Sequence, residues 1–380
     1  MDSVAAEAAQ DSINHQQAGA GNSRLPGLTW DIGTAYEFFI SLYVLHHPDE
    51  FGLRASWAAG VRSRLDPEAR KTLEEAQEVM GVPLGWIYLN PDVRDSASIL
   101  WALRQMPPAS RLLNLTFCCE EMKASELAGV FLSVLERKSW NEGDARRLDE
   151  FFRKEHHKAK TDRIPKILDV WANSAEFGER FLSALQSYYQ VFFAEEEKQL
   201  LPKLRAGLQR AQQLAETLPL PELIEQLSRG VVLKDVQDRA GLILVPSFWS
   251  TPIIFFDQFS DNRTIIAFGA RPDDASLVPG EVVPDALLSI LKAMADPTRL
   301  RILRYMAHES LTPAEISRRL RLRPPTVTHH LSALRLAGLV QLRLEEDERR
   351  YTARLEVLEG LTAQILRFIG QNGEEENTVE

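Results

Sequence analysis

Cysteine is nearly absent. Cys118 and Cys119 are the only two in the 380-residue chain, and they are neighbours. Adjacent cysteines rarely bridge, because the ring strains the peptide between them. A disulfide scaffold is therefore excluded, and two thiols in a strand or core of a protein kept in a reducing cytoplasm are expected. A thiol sensor for soft metals or arsenicals is the second reading of the pair. Long apolar runs are missing too. No stretch reaches the eighteen residues that suggest a membrane span, and the longest candidate, 241–256, is broken by Pro246, Ser247 and Ser250. No charged-then-apolar leader opens the chain, so neither export nor membrane insertion is expected.

Recognisable catalytic signatures are also lacking. There is no Gly-x-Ser-x-Gly, no Gly-x-x-x-x-Gly-Lys, no Gly-x-Gly-x-x-Gly and no His-Glu-x-x-His. No cofactor and no catalytic residue is predicted. Glu155, His156 and His157 lie between lysines without partners one helical turn away, which favours a solvated surface over a metal site. His46 and His47 precede Pro48 at a helix C-terminus, where a partial positive charge suits the dipole. No period of 20–50 residues recurs, so a solenoid is excluded. Positive charge is scarce overall, with 44 Lys and Arg against 54 Asp and Glu, a net of −10.

The distribution of charge is more informative than its sum. Residues 285–369 hold fourteen Lys and Arg against ten Asp and Glu, a net of +4. The tail beyond Ile369 contributes −4, so residues 1–284 carry −10. Between Arg299 and Arg323 there are seven Arg and two Glu. A local basic patch of this kind suits phosphate.

That basic stretch has a strong local pattern. Asp296 followed by Pro297 is a helix start. Leu300, Ile302, Leu303 and Met306 are expected on its buried face. Thr312 and Glu315 form a capping box, with Leu311 and Ile316 as the flanking staple. The short helix ends near Leu320, and Arg321, Leu322 and Arg323 make a turn. A second helix starts at Pro324 or Pro325. Its Val327, Leu331 and Leu334 form one apolar stripe. Gly338 stops it in the left-handed region, with Leu339 packing back. The other face carries Thr326, Thr328, His329, Ser332 and Arg335, groups suited to base edges and phosphates in a major groove. His329 and His330 do not point at one site, being adjacent on a helix, so a metal pair is disfavoured. After Gly338 the apolar period changes from 3.6 to 2. Val340, Leu342 and Leu344 alternate with Gln341 and Arg343, and Arg349, Tyr351 and Ala353 lead back from an acidic turn at 345–348. This reads as a β-wing. Leu358, Leu361, Ile365, Phe368 and Ile369 then outline a last amphipathic helix, which either packs on the first helix or pairs with its copy.

In ADPTRLRIL, LTPAEISRRL and TVTHHLSALRLAGLV the segment resembles the ArsR-type winged-helix family of transcriptional regulators, over about 85 of the 380 residues. The resemblance implies a symmetric dimer that sets two recognition helices in successive major grooves of an imperfect palindrome. It places Pro325, Thr326, Thr328 and His329 on DNA, with the wing on the flanking backbone or minor groove. Ser332, Arg335, Arg321, Arg323, Arg343, Arg349 and Arg350 complete the expected DNA-binding set. The sequence departs from the family in having no Cys on the helix over 313–320 and no His on the last helix, so metal sensing at those positions is not expected. Its acidic wing tip would repel phosphate, and Arg343, Arg349 and Arg350 would have to reach past it.

Upstream, residues 1–24 read as disordered and 25–230 as mainly helical. Expected helices cover 36–47, 53–65, 66–80, 96–106, 127–137, 145–156, a long span over 164–193, one through 218, and 222–229. Residues 83–91 read as a loop, and 111–119 as either helix or strand. Residues 231–272 read as a small antiparallel sheet and 273–284 as a linker, with 285–369 the winged helix and 370–380 an acidic tail. Trp86, Tyr88, Trp101, Trp171, Tyr188, Tyr189 and Trp249 are mostly ordinary core in this reading, with an apolar effector pocket among them as the alternative. A weaker resemblance of layout, with WAAGVRSRL followed by DPEARKTL, points to larger ArsR-like regulators.

The fold class expected is mainly α with a small antiparallel β segment. The function expected is a cytoplasmic, sequence-specific DNA-binding repressor of ArsR type that binds an imperfect palindrome in double-stranded DNA as a dimer, with residues 25–271 serving dimerisation, the sensing of a small-molecule effector or structural signal, or both. The rival readings are a protein-interaction or architectural module, and a DNA-tethered enzyme.

Overall fold

The computed structural model describes residues 27–51, 53, 55–154, 163–233, 241–251, 253–260, 263–272, 284–345 and 348–370. The N-terminal segment 1–24, Glu155 to His157, nearly all of the linker 273–284, Glu346 and Asp347 of the wing tip, and the tail beyond Gly370 lie outside the described residues.

The chain enters through β1 (Leu28–Trp30) and turns into α1 (Thr34–His46). Eleven of the thirteen α1 residues are buried. A helix that is apolar on every side has to be surrounded, and the core of the large unit builds on it: Tyr36, Phe38, Ile40 and Val44 are fully enclosed. A 3-10 turn, Pro48–Phe51, follows. Then come α2 (Ala55–Arg62), α3 (Pro67–Val79), α4 (Leu84–Leu89), α5 (Ser96–Gln105) and α6 (Pro108–Thr116). Helix α4 corrects the loop expected at 83–91. Pro83 sits before the first turn, where a missing N–H costs nothing, and Leu84, Trp86 and Ile87 are buried. The undecided stretch 111–119 is helical as far as Thr116. Arg111 is buried there and donates from Nε to the Leu103 carbonyl at 2.8 Å and from Nη1 to the Gly178 carbonyl at 2.9 Å.

Next are α7 (Glu120–Lys123), α8 (Glu126–Arg137), α9 (Glu142–Lys154), α10 (Ile164–Ala172) and α11 (Ser174–Tyr188). The single helix expected over 164–193 divides at Asn173, whose φ of −107° and ψ of 32° leave the helical region. Its last five residues, Tyr189–Phe193, widen into a π turn that runs on into α12 (Ala194–Ala215). α13 (Leu220–Leu227) closes the helical part.

The strands correct the expected antiparallel sheet. β3 (Gly241–Ser247), β4 (Phe255–Ser260) and β5 (Arg263–Gly269) combine with β1 in the order β1-β3-β5-β4. β1 pairs with β3, and β3 with β5, in parallel, and only β4 runs antiparallel to β5. The physical cause is burial. β3 is enclosed from Leu242 to Ser247 and β5 from Thr264 to Phe268. Near-continuous burial of this kind belongs to parallel strands covered on both faces. The sheet recruits Leu28–Trp30 from the region read as helical. It does not include β2 (Val231–Leu233), which joins the C-terminal sheet instead.

The C-terminal unit contains α14 (Asp285–Met294), α15 (Pro297–Met306), α16 (Pro313–Leu320), α17 (Pro324–Leu336), β6 (Val340–Glu345), β7 (Glu348–Ala353) and α18 (Leu355–Gly370). Its separate core gathers Ile302, Met306, Ile316, Val327, Leu331 and Leu334 with Leu339 and Tyr351. Leu300, expected in that core, is 43% exposed. It lies two positions before Ile302, about 200° away around the helix, so both cannot face inward. β6 and β7 form the antiparallel hairpin, β2 lies parallel along the outer side of β6, and Leu311 bridges to Tyr351. Among the described residues no helix is long and apolar enough to cross a membrane.

Candidate nucleic-acid interface

The rigid base of the interface is α16 and its cap. Thr312 N–H donates to Glu315 Oε2 at 2.8 Å, and Glu315 N–H donates to Thr312 Oγ1 at 3.3 Å. The bonds from the Thr312 N–H and hydroxyl hold the Glu315 carboxyl below the usual carboxylate range, and Arg350 adds to the effect. The turn to α17 uses Arg321 at φ 56°, an uncommon left-handed position for a residue with a Cβ. Leu322 N–H then bonds the Ser317 carbonyl at 3.1 Å. α17 opens at Pro324 and buries Val327, Leu331 and Leu334. Gly338 follows it at φ 67°. This is where the Gly stop was expected.

The opposite face of α17 holds the predicted contact residues. Pro325, Thr326, Thr328, His329 and Ser332 are exposed together on it, and Arg321 and Arg323 are exposed in the turn. Thr328 Oγ1 donates to the Pro324 carbonyl at 3.0 Å. That bond leaves the oxygen's lone pairs free to accept a hydrogen bond. His330, beside His329, is half-buried, and its Nδ1 is enclosed without a hydrogen-bond partner. Burial lowers its pKa, Arg299 and His329 lower it further, and Asp296 opposes them.

Four further arginines of the predicted set divide into two exposed and two half-buried. Arg343 and Arg349 on the wing are exposed. Arg350 is half-buried and braces the fold: its Nη1 donates to the Ser310 carbonyl at 3.3 Å and stands 3.5 Å from Glu315, while its Nε is 3.9 Å from Glu348. Arg335 is half-buried at the C-terminal part of α17, and burial lowers its pKa. Tyr351 and Glu50 counter that shift and Arg349 reinforces it. The structure thus brings Pro325 to Ser332 onto one face with the turn arginines, and turns Arg350 toward the wing's own base.

Sequence reasoning missed two features. Arg299 ties α15 to α14 by donating from Nε to the Ala293 carbonyl and from Nη2 to the Lys292 carbonyl, both at 2.8 Å. The contact of β2 with the wing was also missed, since nothing local in Val231–Leu233 marks its distant partner. Among the described residues no group of three His, Cys, Asp or Glu is placed to hold a metal ion. Cys118 Sγ lies 3.6 Å from Met122 Sδ, and Cys119 Sγ donates to the Phe259 carbonyl at 2.6 Å. Burial pushes the Cys118 thiol up to about 12. Of the aromatic set, Trp86, Trp171, Tyr188 and Trp249 are buried in the large core, while Trp101 is 62% exposed. A cleft beside Phe39, Tyr43, Met80 and Phe181 is lined by apolar side chains but has room for little more than a water molecule.

Residues 296–341 match the model of the bacterial regulatory protein arsR family. This segment is an ArsR-family helix-turn-helix. The chain is 44% identical over 57 residues to an uncharacterized HTH-type transcriptional regulator of Methanocaldococcus jannaschii, covering 15% of this chain and 64% of that protein. It is 35% identical over 69 residues to a probable mercury resistance operon repressor of Streptomyces lividans, covering 18% of this chain and 55% of the relative. The chain thus spans less than two thirds of the length of either relative. Among solved structures, HlyU from Vibrio cholerae is 34% identical, with 23% of this chain and 94% of that chain covered and a TM-score of 0.19. The matched residues 296–341 lie in the C-terminal unit that carries the exposed face of α17.

Proposed function

We propose that the chain is a sequence-specific DNA-binding transcriptional regulator that acts as a dimeric repressor on an imperfect palindrome. The observation that carries this reading is the exposed polar face of α17, from Pro325 to Ser332, on a helix locked by its own apolar stripe and flanked by Arg321 and Arg323. Short polar groups on a rigid helix suit base edges, and the turn and wing arginines suit phosphate. Dimerisation is supported by apolar side chains left in solvent on α14 and α18, two helices that pack on each other. Leu291 is 41% exposed, Leu355 45%, Leu366 65% and Ile369 61%. A second copy would cover this stripe and set the two recognition helices about one DNA turn apart, ~34–36 Å. In this reading residues 25–271 receive the signal, through a small-molecule effector or a structural cue, and small rotations of the two readers weaken binding.

Selection of fragments bound from genomic or random DNA by the full-length protein tests this. A palindromic motif with half-sites one turn apart is the expected result. Failure to enrich any sequence at low salt would replace it with the protein-interaction reading.

A further inference from the structure

The winged helix is not free-standing. The turn Pro48–Phe51 lies against α17. It is anchored by Phe51, which is buried and stacks on Phe255 with ring centroids 5.9 Å apart. Its Asp49 and Glu50 side chains are exposed. Tyr43 donates its hydroxyl hydrogen to Glu50 Oε2 at 3.3 Å, and Glu50 in turn acts electrostatically on Arg335 of α17. The second contact is β2. Val231 stands opposite Leu342 and Val232 opposite Arg343, in parallel register. Leu342 N–H donates to the Gly230 carbonyl at 2.8 Å, and the Gln341 amide donates to the Glu225 carboxylate. Gly230 has φ +99°, and a Cβ there would lie 3.0 Å from Arg354 Cδ and 3.4 Å from Gln341 Cα. Only glycine lets the chain come in so closely at that angle.

We propose that the acidic turn Pro48–Phe51 and the strand β2 form an intramolecular clasp that competes with duplex DNA for the recognition helix and the wing. The inference rests on the DNA-binding reading above. Two of the predicted DNA contacts, Arg335 and Arg343, are the groups that the clasp sits beside. Asp49, Glu50 and Glu225 bring carboxylates to a basic surface that phosphate would otherwise occupy, and phosphates within about 8 Å of them are repelled at physiological salt. The overall charge agrees, because residues 1–284 carry −10 and residues 285–369 carry +4. The strand part of the clasp is only three residues long. Opening it does not require the core of either unit to unfold. DNA, or any ligand that binds only the open form, shifts the population toward it.

The test locks the clasp in the full-length chain. Val231→Cys with Leu342→Cys places two thiols on register partners in neighbouring strands, whose spacing of about 4.8 Å lies within disulfide reach. A labelled random-sequence duplex is titrated with the oxidised and the reduced double variant, and disulfide formation is verified by mass. The unmodified chain under both conditions accounts for any effect of Cys118 and Cys119. The oxidised form is expected to bind about tenfold more weakly than the reduced form, an ordinary coupling between sites. Glu50→Gln combined with Glu225→Gln, which weakens the clasp and substitutes no residue of the wing or α17, is expected to bind more tightly than the unmodified chain. Equal affinity in the oxidised and reduced forms overturns the clasp while leaving DNA binding intact. Absence of binding by every form, the charge variant included, overturns the DNA-binding reading itself and the clasp with it.

Discussion

At the scale of the residue, the sharpest contrast is between side chains on opposite faces of α17. Thr328 and His329 are exposed, whereas Leu331 is buried in the unit's core. Thr328→Ala or His329→Ala is therefore expected to leave the unfolding transition unchanged and to weaken binding to a selected operator by about 1–3 kcal/mol. Binding to random DNA should fall much less, and equal loss on both would remove Thr328 from base reading. Arg349→Ala should weaken both duplexes alike and reduce the salt slope by about one phosphate contact. Glu37 makes a different kind of prediction. It is fully buried in α1 and accepts from the N–H groups of Phe248 at 3.1 Å and Trp249 at 3.0 Å. Burial raises its pKa from 4.5 to about 7, against the lowering effect of these bonds and Ser247. The folded protein thus favours the protonated carboxyl more than the unfolded chain does. The stability supplied by that preference is complete below pH 4.5 and is lost as pH rises through about 7. The loss is on the order of 3 kcal/mol. Glu37→Gln should lower stability overall but flatten its slope across that window, as followed by urea unfolding at a series of pH values.

At the scale of the element, the legible parts of the chain were those with a local physical signature. The capping box of Thr312 and Glu315 fixes the start of α16 from two side chains three residues apart. Thr312→Ala should cost about 1 kcal/mol of stability, measured by thermal unfolding, and Thr312→Ser should recover most of it. Gly338 likewise marks the end of α17 by its backbone freedom alone. The exposed face of α17 was readable for the same reason, because a 3.6 period assigns every side chain once the apolar stripe is known. Errors arose where partners are distant in sequence. The β-rich runs in 231–271 say strand but not which strand lies alongside, so the parallel pairing of β3 with β1 and β5 was not predictable. Helix α4 was hidden by flanking prolines, and the break at Asn173 by an apolar pattern that continues across it. Arg335 and Arg350 were read as solvent-facing cations, because the contact of Pro48–Phe51 with α17 and the bond of Arg350 to the Ser310 carbonyl cannot be seen from α17 or the wing alone.

At the scale of the whole molecule, two units with separate cores meet at the winged helix. The large unit supplies a strand to the wing and an acidic turn to the recognition helix, and α14 and α18 present apolar side chains on the remaining side. Those side chains make an assembly prediction. Leu366→Glu with Ile369→Glu, at positions 65% and 61% exposed, should leave the protomer folded and convert the proposed dimer to a monomer in sedimentation. Binding to a full palindrome should then fall to the level of a half-site. An unchanged sedimentation coefficient in the variant would place the dimer contact elsewhere or remove it.

The pairing of Val231 with Leu342 also bears on how the chain divides. A cut in the stretch 273–284 looks natural from the order of the residues, yet it strips β2 from β6. The liberated C-terminal piece would carry a bare strand edge, with Leu342, Arg343 and Leu344 no longer paired on that side. Unpaired edges of this kind recruit other strands, including those of identical chains. A truncated protein would thus pair through a surface that the intact chain keeps occupied, and its self-association would report the cut rather than the proposed dimer.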